Sequence, residues 1–161
     1  MRIIKKYYGL ALLWVIALFP VVLWLMNINT ADITENIGTF IAAGGKFTAL
    51  SGMTLYVLMP VLSMRHRLLE TLFGGMDRLY RLHASTGKIS VMMILLHPVL
   101  LGLGRVLDGA SLADIWTWSS FGIIIGIISI LGMTAVTAVT IYSHIRHQTW
   151  VWVHRLFGVL I

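Results

Sequence analysis

Hydrophobic and polar positions along this chain fall into long blocks, not into the short periods of a soluble domain. An apolar run from Tyr8 to Met26 is followed by a polar stretch, Asn27 to Asn36, with Asp32 and Glu35. A second run begins at about Phe40 or Phe47, because Gly44, Gly45 and Lys46 interrupt it, and ends at Met64. The segment MRHRLLETLFGGMDRLYRL then mixes leucines, an aromatic residue and arginines, which predicts a short interfacial helix. A third span follows from Asp77 to Leu101, then a loop with Arg105, Asp108 and Asp114, and a fourth span from about Trp116 to Tyr142. The basic turn SHIRHQ leads to a fifth apolar run that starts near Trp150 and reaches Ile161. A crossing helix needs roughly 20 apolar residues, so four runs are long enough and the fifth is not. The pattern predicts an all-α membrane protein: a multi-span helical bundle of four complete transmembrane helices plus a truncated fifth, read as the N-terminal part of a longer chain.

Composition supports the membrane reading. Of the 161 residues 58% are hydrophobic and only 11% charged, far from the balance of a soluble domain. There is no cysteine, which excludes disulfides, thiolate haem ligation, iron–sulfur clusters and zinc–thiolate sites and leaves histidine as the strong nitrogen ligand. The first run has the basic flank of a signal peptide (Arg2, Lys5, Lys6), but it is long for one and no small-residue cleavage site follows, so it reads as a retained span kinked at Pro20.

The formal charge of +6 is a matter of topology, not of nucleic-acid binding. Arg2, Lys5, Lys6, Arg65, Arg67, Arg78, Arg81 and Arg146 all fall on one side of the spans, while Asp32, Glu35, Asp108 and Asp114 fall on the other with Lys46 and Arg105. The positive-inside rule makes the basic side cytoplasmic, and with it the N-terminus. Lys46 is expected to snorkel from near the outer end of its span. Gly122 and Gly126 make a small-xxx-small pair suited to close helix packing. Trp116, Trp118, Trp150 and Trp152, near span ends, read as interfacial anchors.

The chemistry rests on histidines inside spans, where an ionisable side chain is costly. His83 and His97 are fourteen residues apart in the third span. That spacing is about 40° short of four helical turns, which puts both imidazoles on one face and separates them by about 21 Å along the axis. One helix can thus supply an axial ligand to each of two stacked haems. His154, a few residues into the fifth run, lies at about the depth of His83, as a bis-histidine haem requires of its second ligand. A partner for His97 is expected some thirteen or fourteen residues further on, past Ile161. Lys88 points away from the ligand face, Met92 and Met93 read as packing, and His66, His144 and His147 fall in loops.

GGMDRLYRLHASTGKISVMMILLHPVLL, followed by a fourth span and QTWVWVHRLFGVL, resembles the ferric reductase-like transmembrane domain shared by ferric reductases, NADPH oxidases and bacterial relatives. The resemblance implies six helices holding two b-type haems, each gripped by one histidine of the third helix and one of the fifth, so residues 1–161 would be one such domain, incomplete at its C-terminus. It carries His83, His97 and His154 over as haem-iron ligands. Arg78, Arg81 and Arg155 are candidates to pair with haem propionates, although topology explains them as well. It further implies a cell (inner) membrane location and a cytoplasmic region or partner with FAD and NAD(P)H. Electrons would pass from there to an external acceptor such as ferric iron or dioxygen. Many relatives carry arginine directly after the first histidine, where this chain has Ala84. Two other functions remain open from the residues: a haem subunit fed by quinol or a flavoprotein for a periplasmic reductase, and a proton transporter using a histidine relay.

Overall fold

The computed structural model describes residues 2–111, 121–142 and 146–155, all helix or short connection. In chain order the helices are α1 (Arg2–Asn27), α2 (Thr30–Thr34), α3 (Ile37–Ser63), α4 (Arg67–Phe73), α5 (Met76–Leu107), α6 (Phe121–Tyr142) and α7 (His147–Arg155). Four segments are long and apolar enough to cross a membrane: Tyr8–Asn27, Ile37–Ser63, Met76–Leu107 and Phe121–Thr140. The chain is therefore an all-α membrane protein with the four spans that its hydrophobic blocks predict. Those helices separate into two compact units, residues 1–110 and 111–161.

In the first unit the helix boundaries have local causes. Asn36 and Thr39 cap α3 reciprocally, each side chain bonding the other's backbone N–H, so the second span starts at Ile37, earlier than either start expected from the sequence. His66 caps α4 by accepting from the Leu68 N–H at 3.3 Å, which gives this exposed histidine a structural task. Gly74 (φ 81°) and Gly75 (φ 119°) break α4 from α5 in conformations that a side chain would resist. The single amphipathic segment read from the sequence is thus divided, with its second half becoming the start of α5. The polar stretch after α1 contains α2, capped by Asn29, which the hydrophobic pattern did not indicate. Helix α1 runs unbroken through Pro20.

Packing in this unit is dominated by α3 against α5, which run antiparallel. At the end bearing Arg65, Arg67, Arg78 and Arg81, Leu13 and Ala17 of α1 join Leu55, Met59 and Leu62 of α3, Phe73 of α4 and Leu79 of α5 in one buried cluster. Gly9 belongs to the same end, since a Cβ there would meet Phe73 at 2.7 Å and the Leu72 carbonyl at 2.8 Å. Along the rest of α3 the contact residues are glycines at a spacing of seven: Gly38, Gly45 and Gly52. A Cβ on Gly52 would lie 3.0 Å from Ile94 and Met93, and one on Gly45 3.0 Å from Leu101. On α5, Gly104 is so close to α3 that a Cβ would sit 2.7 Å from the Gly38 carbonyl oxygen. Small residues let two backbones approach where burial of apolar surface offers no driving force between helices, because lipid is as apolar as leucine. Gly45 was read from the sequence as an interruption of the span; it is a point of contact.

The second unit contains α6 and α7. Close packing was expected at Gly122 and Gly126 of α6. Among the described residues, a Cβ at either would meet nothing within 4 Å. The fourth span is described from Phe121, so Trp116 and Trp118 lie outside the described residues. Helix α7 begins at His147, within the segment expected as a basic turn.

Two glycines two residues apart on α5 separate close approach from helix propensity. Gly104→Ala places a methyl against backbone that cannot move aside, and overpacking of about 1–3 kcal/mol outweighs the gain of up to about 1 kcal/mol in helix propensity. Unfolding in detergent micelles should show Gly104→Ala less stable by about 1–2 kcal/mol. Gly102→Ala, where a Cβ meets nothing within 4 Å, should be neutral or slightly stabilising.

Candidate functional site

The seven-residue step of the glycines on α3 has a counterpart on α5. His83, Ser90, His97 and Gly104 recur every seven residues, and each meets its opposite number on the antiparallel helix. His83 Nδ1 lies 3.2 Å from the carbonyl oxygen of Met59, Ser90 Oγ donates to the carbonyl of Gly52 at 2.9 Å, and His97 Nδ1 lies 2.9 Å from the carbonyl of Gly45. Gly104 against Gly38 completes the row. Seven residues fall about 20° short of two turns, so a row kept at this repeat over twenty residues implies a left-handed winding of the two helices. Glycine at 45 and 52 leaves the main chain open, and a side chain on α5 can reach a carbonyl that is already part of a helix.

The carbonyl partner fixes which nitrogen of each ring donates. A carbonyl oxygen only accepts, so Nδ1 of His83 and of His97 must carry the hydrogen. In a neutral imidazole this makes Nε2 the lone-pair nitrogen, the one able to bind a metal. A ring nitrogen held on a backbone carbonyl is the usual support of a metal-bound histidine: it sets the tautomer, fixes the ring plane and raises the basicity of the ligating nitrogen. His66 has the opposite arrangement, with Nδ1 accepting from an N–H. Both α5 histidines are half-buried, whereas Ser90 between them is fully buried. No three histidine, cysteine, aspartate or glutamate side chains converge on a metal position among the described residues. One imidazole nitrogen can supply one bond to a metal, as an axial ligand does to iron already held in a porphyrin.

His154 sits in the second unit, on α7, and a different contact orients it. One turn earlier on the same helix, Trp150 stacks on its ring with centroids 4.9 Å apart and planes 8° from parallel. The i, i+4 spacing places these two side chains together on the helix surface. Trp150, expected as an interfacial anchor, is half-buried and lies against this imidazole. Trp152 is exposed, with the Arg155 guanidinium 5.2 Å from its ring centroid.

Known families provide the comparison. The family model described as "Ferric reductase like transmembrane component" matches residues 47–161, well over half of the chain. The chain belongs to this family. Comparison with curated proteins and with solved structures gave no match. Membership in the ferric reductase-like family covers His83, His97 and His154, along with α4, α5, α6 and α7. The matched region begins inside α3, two residues after Gly45, so the carbonyl that holds His97 and the whole of α1 lie before it.

The remaining polar residues sort by position. Arg78 and Arg81 line an open cleft at the α4–α5 junction together with Glu70 and Asp77, a lining of mixed charge instead of a basic pocket. Lys88 is exposed, away from the row of histidines, as its spacing implied. Of the adjacent methionines, Met93 packs on the buried cluster and Met92 is 62% exposed. Lys46 is exposed on α3. His144 lies outside the described residues. Ser90 escaped the sequence reading altogether, although its position midway between His83 and His97 was a usable signal.

Histidine-selective 15N spectra of the protein purified without haem should show hydrogen on Nδ1 of His83 and of His97. An Nε2–H tautomer for either ring would mean that its bond to α3 is not formed.

Proposed function

We propose that the chain carries electrons across a bilayer through two b-type haems, with His83, His97 and His154 as axial ligands to iron. The observation that supports this most strongly is the pair of Nδ1 contacts from His83 and His97 to backbone carbonyls fourteen residues apart on α3. These hold two imidazoles in one tautomer, on one helix face, about 21 Å apart along the axis. A residue kept only for packing does not need its Nε2 lone pair preserved; a ligand does. The donor set fits haem, since each ring presents one nitrogen and the family is one of transmembrane reductases. Haem held by these histidines would supply a one-electron carrier.

The work of the chain's own residues is to position and to insulate. Gly45, Gly52 and Gly104 set the distance between α3 and α5, and the carbonyls of Met59 and Gly45 hold the rings. Trp150 holds the plane of His154. His83 and His154 serve the same haem, because both lie a few residues inside spans that enter from the basic side. His97 serves a second haem nearer the opposite surface, with its other ligand outside the described residues.

In this reading the basic side is cytoplasmic, by the positive-inside rule, and the membrane is the cell (inner) membrane. Electrons enter on that side from FAD reduced by NAD(P)H, carried on a further region or a partner protein. One NAD(P)H gives up two electrons and a proton in becoming NAD(P)+. Two ferric ions outside are reduced to ferrous, or dioxygen takes one electron at a time.

The protein purified from membranes should show the reduced spectrum of six-coordinate b-type haem, at two per chain. His97→Ala should remove one haem and leave the other. His83→Ala, His154→Ala and the double variant should each lose the same single haem, because residues that act as one unit do not add. Retention of both haems in His97→Ala, or loss of both only in the double variant, would overturn the assignment. A reporter fused after His147 should behave as cytoplasmic and one placed between Asp108 and Asp114 as external; the reverse result would invert the electron path.

A further inference from the structure

The carbonyl that holds His97 is shared. Thr48, one turn further along α3, donates its hydroxyl to the same Gly45 oxygen at 2.8 Å, while His97 Nδ1 approaches at 2.9 Å. Both the Thr48 side chain and Gly45 are buried, so water does not compete there. A carbonyl oxygen has two lone pairs, and one already faces the helical N–H ladder. The hydroxyl and the imidazole N–H therefore compete for what remains. Thr54 makes the same kind of back-bond, to the Leu50 carbonyl at 2.7 Å. Neither of the two histidine contacts to α3 uses that carbonyl.

We propose that Thr48 is a positioning residue that sets the electron-donating strength of His97 by occupying part of the Gly45 carbonyl. The inference rests on the reading of His97 as a haem ligand. Its physical basis is that a stronger bond from the ring N–H to its acceptor raises the basicity of the ligating nitrogen. A more basic ligand favours ferric over ferrous iron, and hydrogen bonding around the axial ligand is one of the levers on haem potential. Thr48 weakens the Nδ1–H bond and so keeps the potential of the His97 haem higher than the Gly45 carbonyl alone would allow. An ordinary intrahelical back-bond, which only bends or slightly loosens α3, has no reason on its removal to strengthen the Nδ1–H bond of His97 and move that proton downfield.

The test is Thr48→Val, which keeps shape and removes the hydroxyl, with Thr48→Ser restoring it and Thr54→Val as the control. Redox titration of the haem-loaded protein should show a downward shift of one midpoint potential in Thr48→Val, namely the one that disappears in His97→Ala. Thr48→Ser should titrate like the parent, and Thr54→Val should move neither haem. In 15N- and 1H-detected spectra of the haem-free protein, the Nδ1 proton of His97 should move downfield in Thr48→Val, with His83 unchanged. If the valine variant fails to load both haems, Thr48→Ala is read in the same way. No shift, an upward shift, or a shift of the other haem or of both, overturns the role of Thr48 while His97→Ala still loses one haem. Retention of both haems in His97→Ala overturns the ligand assignment itself, and this inference with it.

Discussion

The close approach of α3 and α5 is the constraint on which the rest of the first unit depends. Side chains at every seventh position of α5 reach the backbone of α3, and they do so because α3 has glycine at 45 and 52. A single larger residue in either place would have to displace Ile94, Met93 or Leu101 before the hydroxyl of Ser90 or the ring of His97 could bond. The polar contacts in turn fix the register. Moving α5 along α3 by one residue would take Ser90 and both histidines off their carbonyls at once, and polar groups without partners are costly in a medium that supplies no water. Packing and polar contact therefore specify the same alignment.

This alignment favours an electron carrier over a proton relay. A relay needs each imidazole to take up a proton on one nitrogen and release one from the other, to groups that can pass it on. Nδ1 of His83 and of His97 faces a main-chain carbonyl, which accepts a hydrogen bond but not a transferable proton. Held so, the rings are stopped at one tautomer. What hinders a relay is useful in a ligand, for which a fixed ring plane and a preserved Nε2 lone pair are the whole requirement.

Much of this was legible in the sequence because a bilayer imposes long apolar blocks and makes any ionisable residue within them conspicuous. The four spans, the shared face of His83 and His97 and the separateness of Lys88 follow from periodicity alone. The start of α3 was not legible, since the Asn36–Thr39 capping box sits in a polar stretch that reads as loop and the glycines beyond it read as a break. A glycine in a soluble helix weakens it, but between membrane helices it marks contact. The repeat of Gly38, Gly45 and Gly52 was present to be read, and it matches the repeat of His83, Ser90 and His97. What could not be read is that each histidine meets a carbonyl, because main-chain partners leave no trace in residue identity.

His154 shows how differently the same demand can be met. On α5 the ring is oriented by a second helix, which requires two spans in fixed register. On α7 a stacking contact from Trp150 of the same helix lies 8° from parallel with the ring. An indole face cannot accept the Nδ1 hydrogen in the plane of the ring as a carbonyl does, so it constrains the plane of His154 without selecting its tautomer. Two of the three candidate ligands thus have their electronic character set by hydrogen bonding to the main chain, and the third has its plane set by stacking.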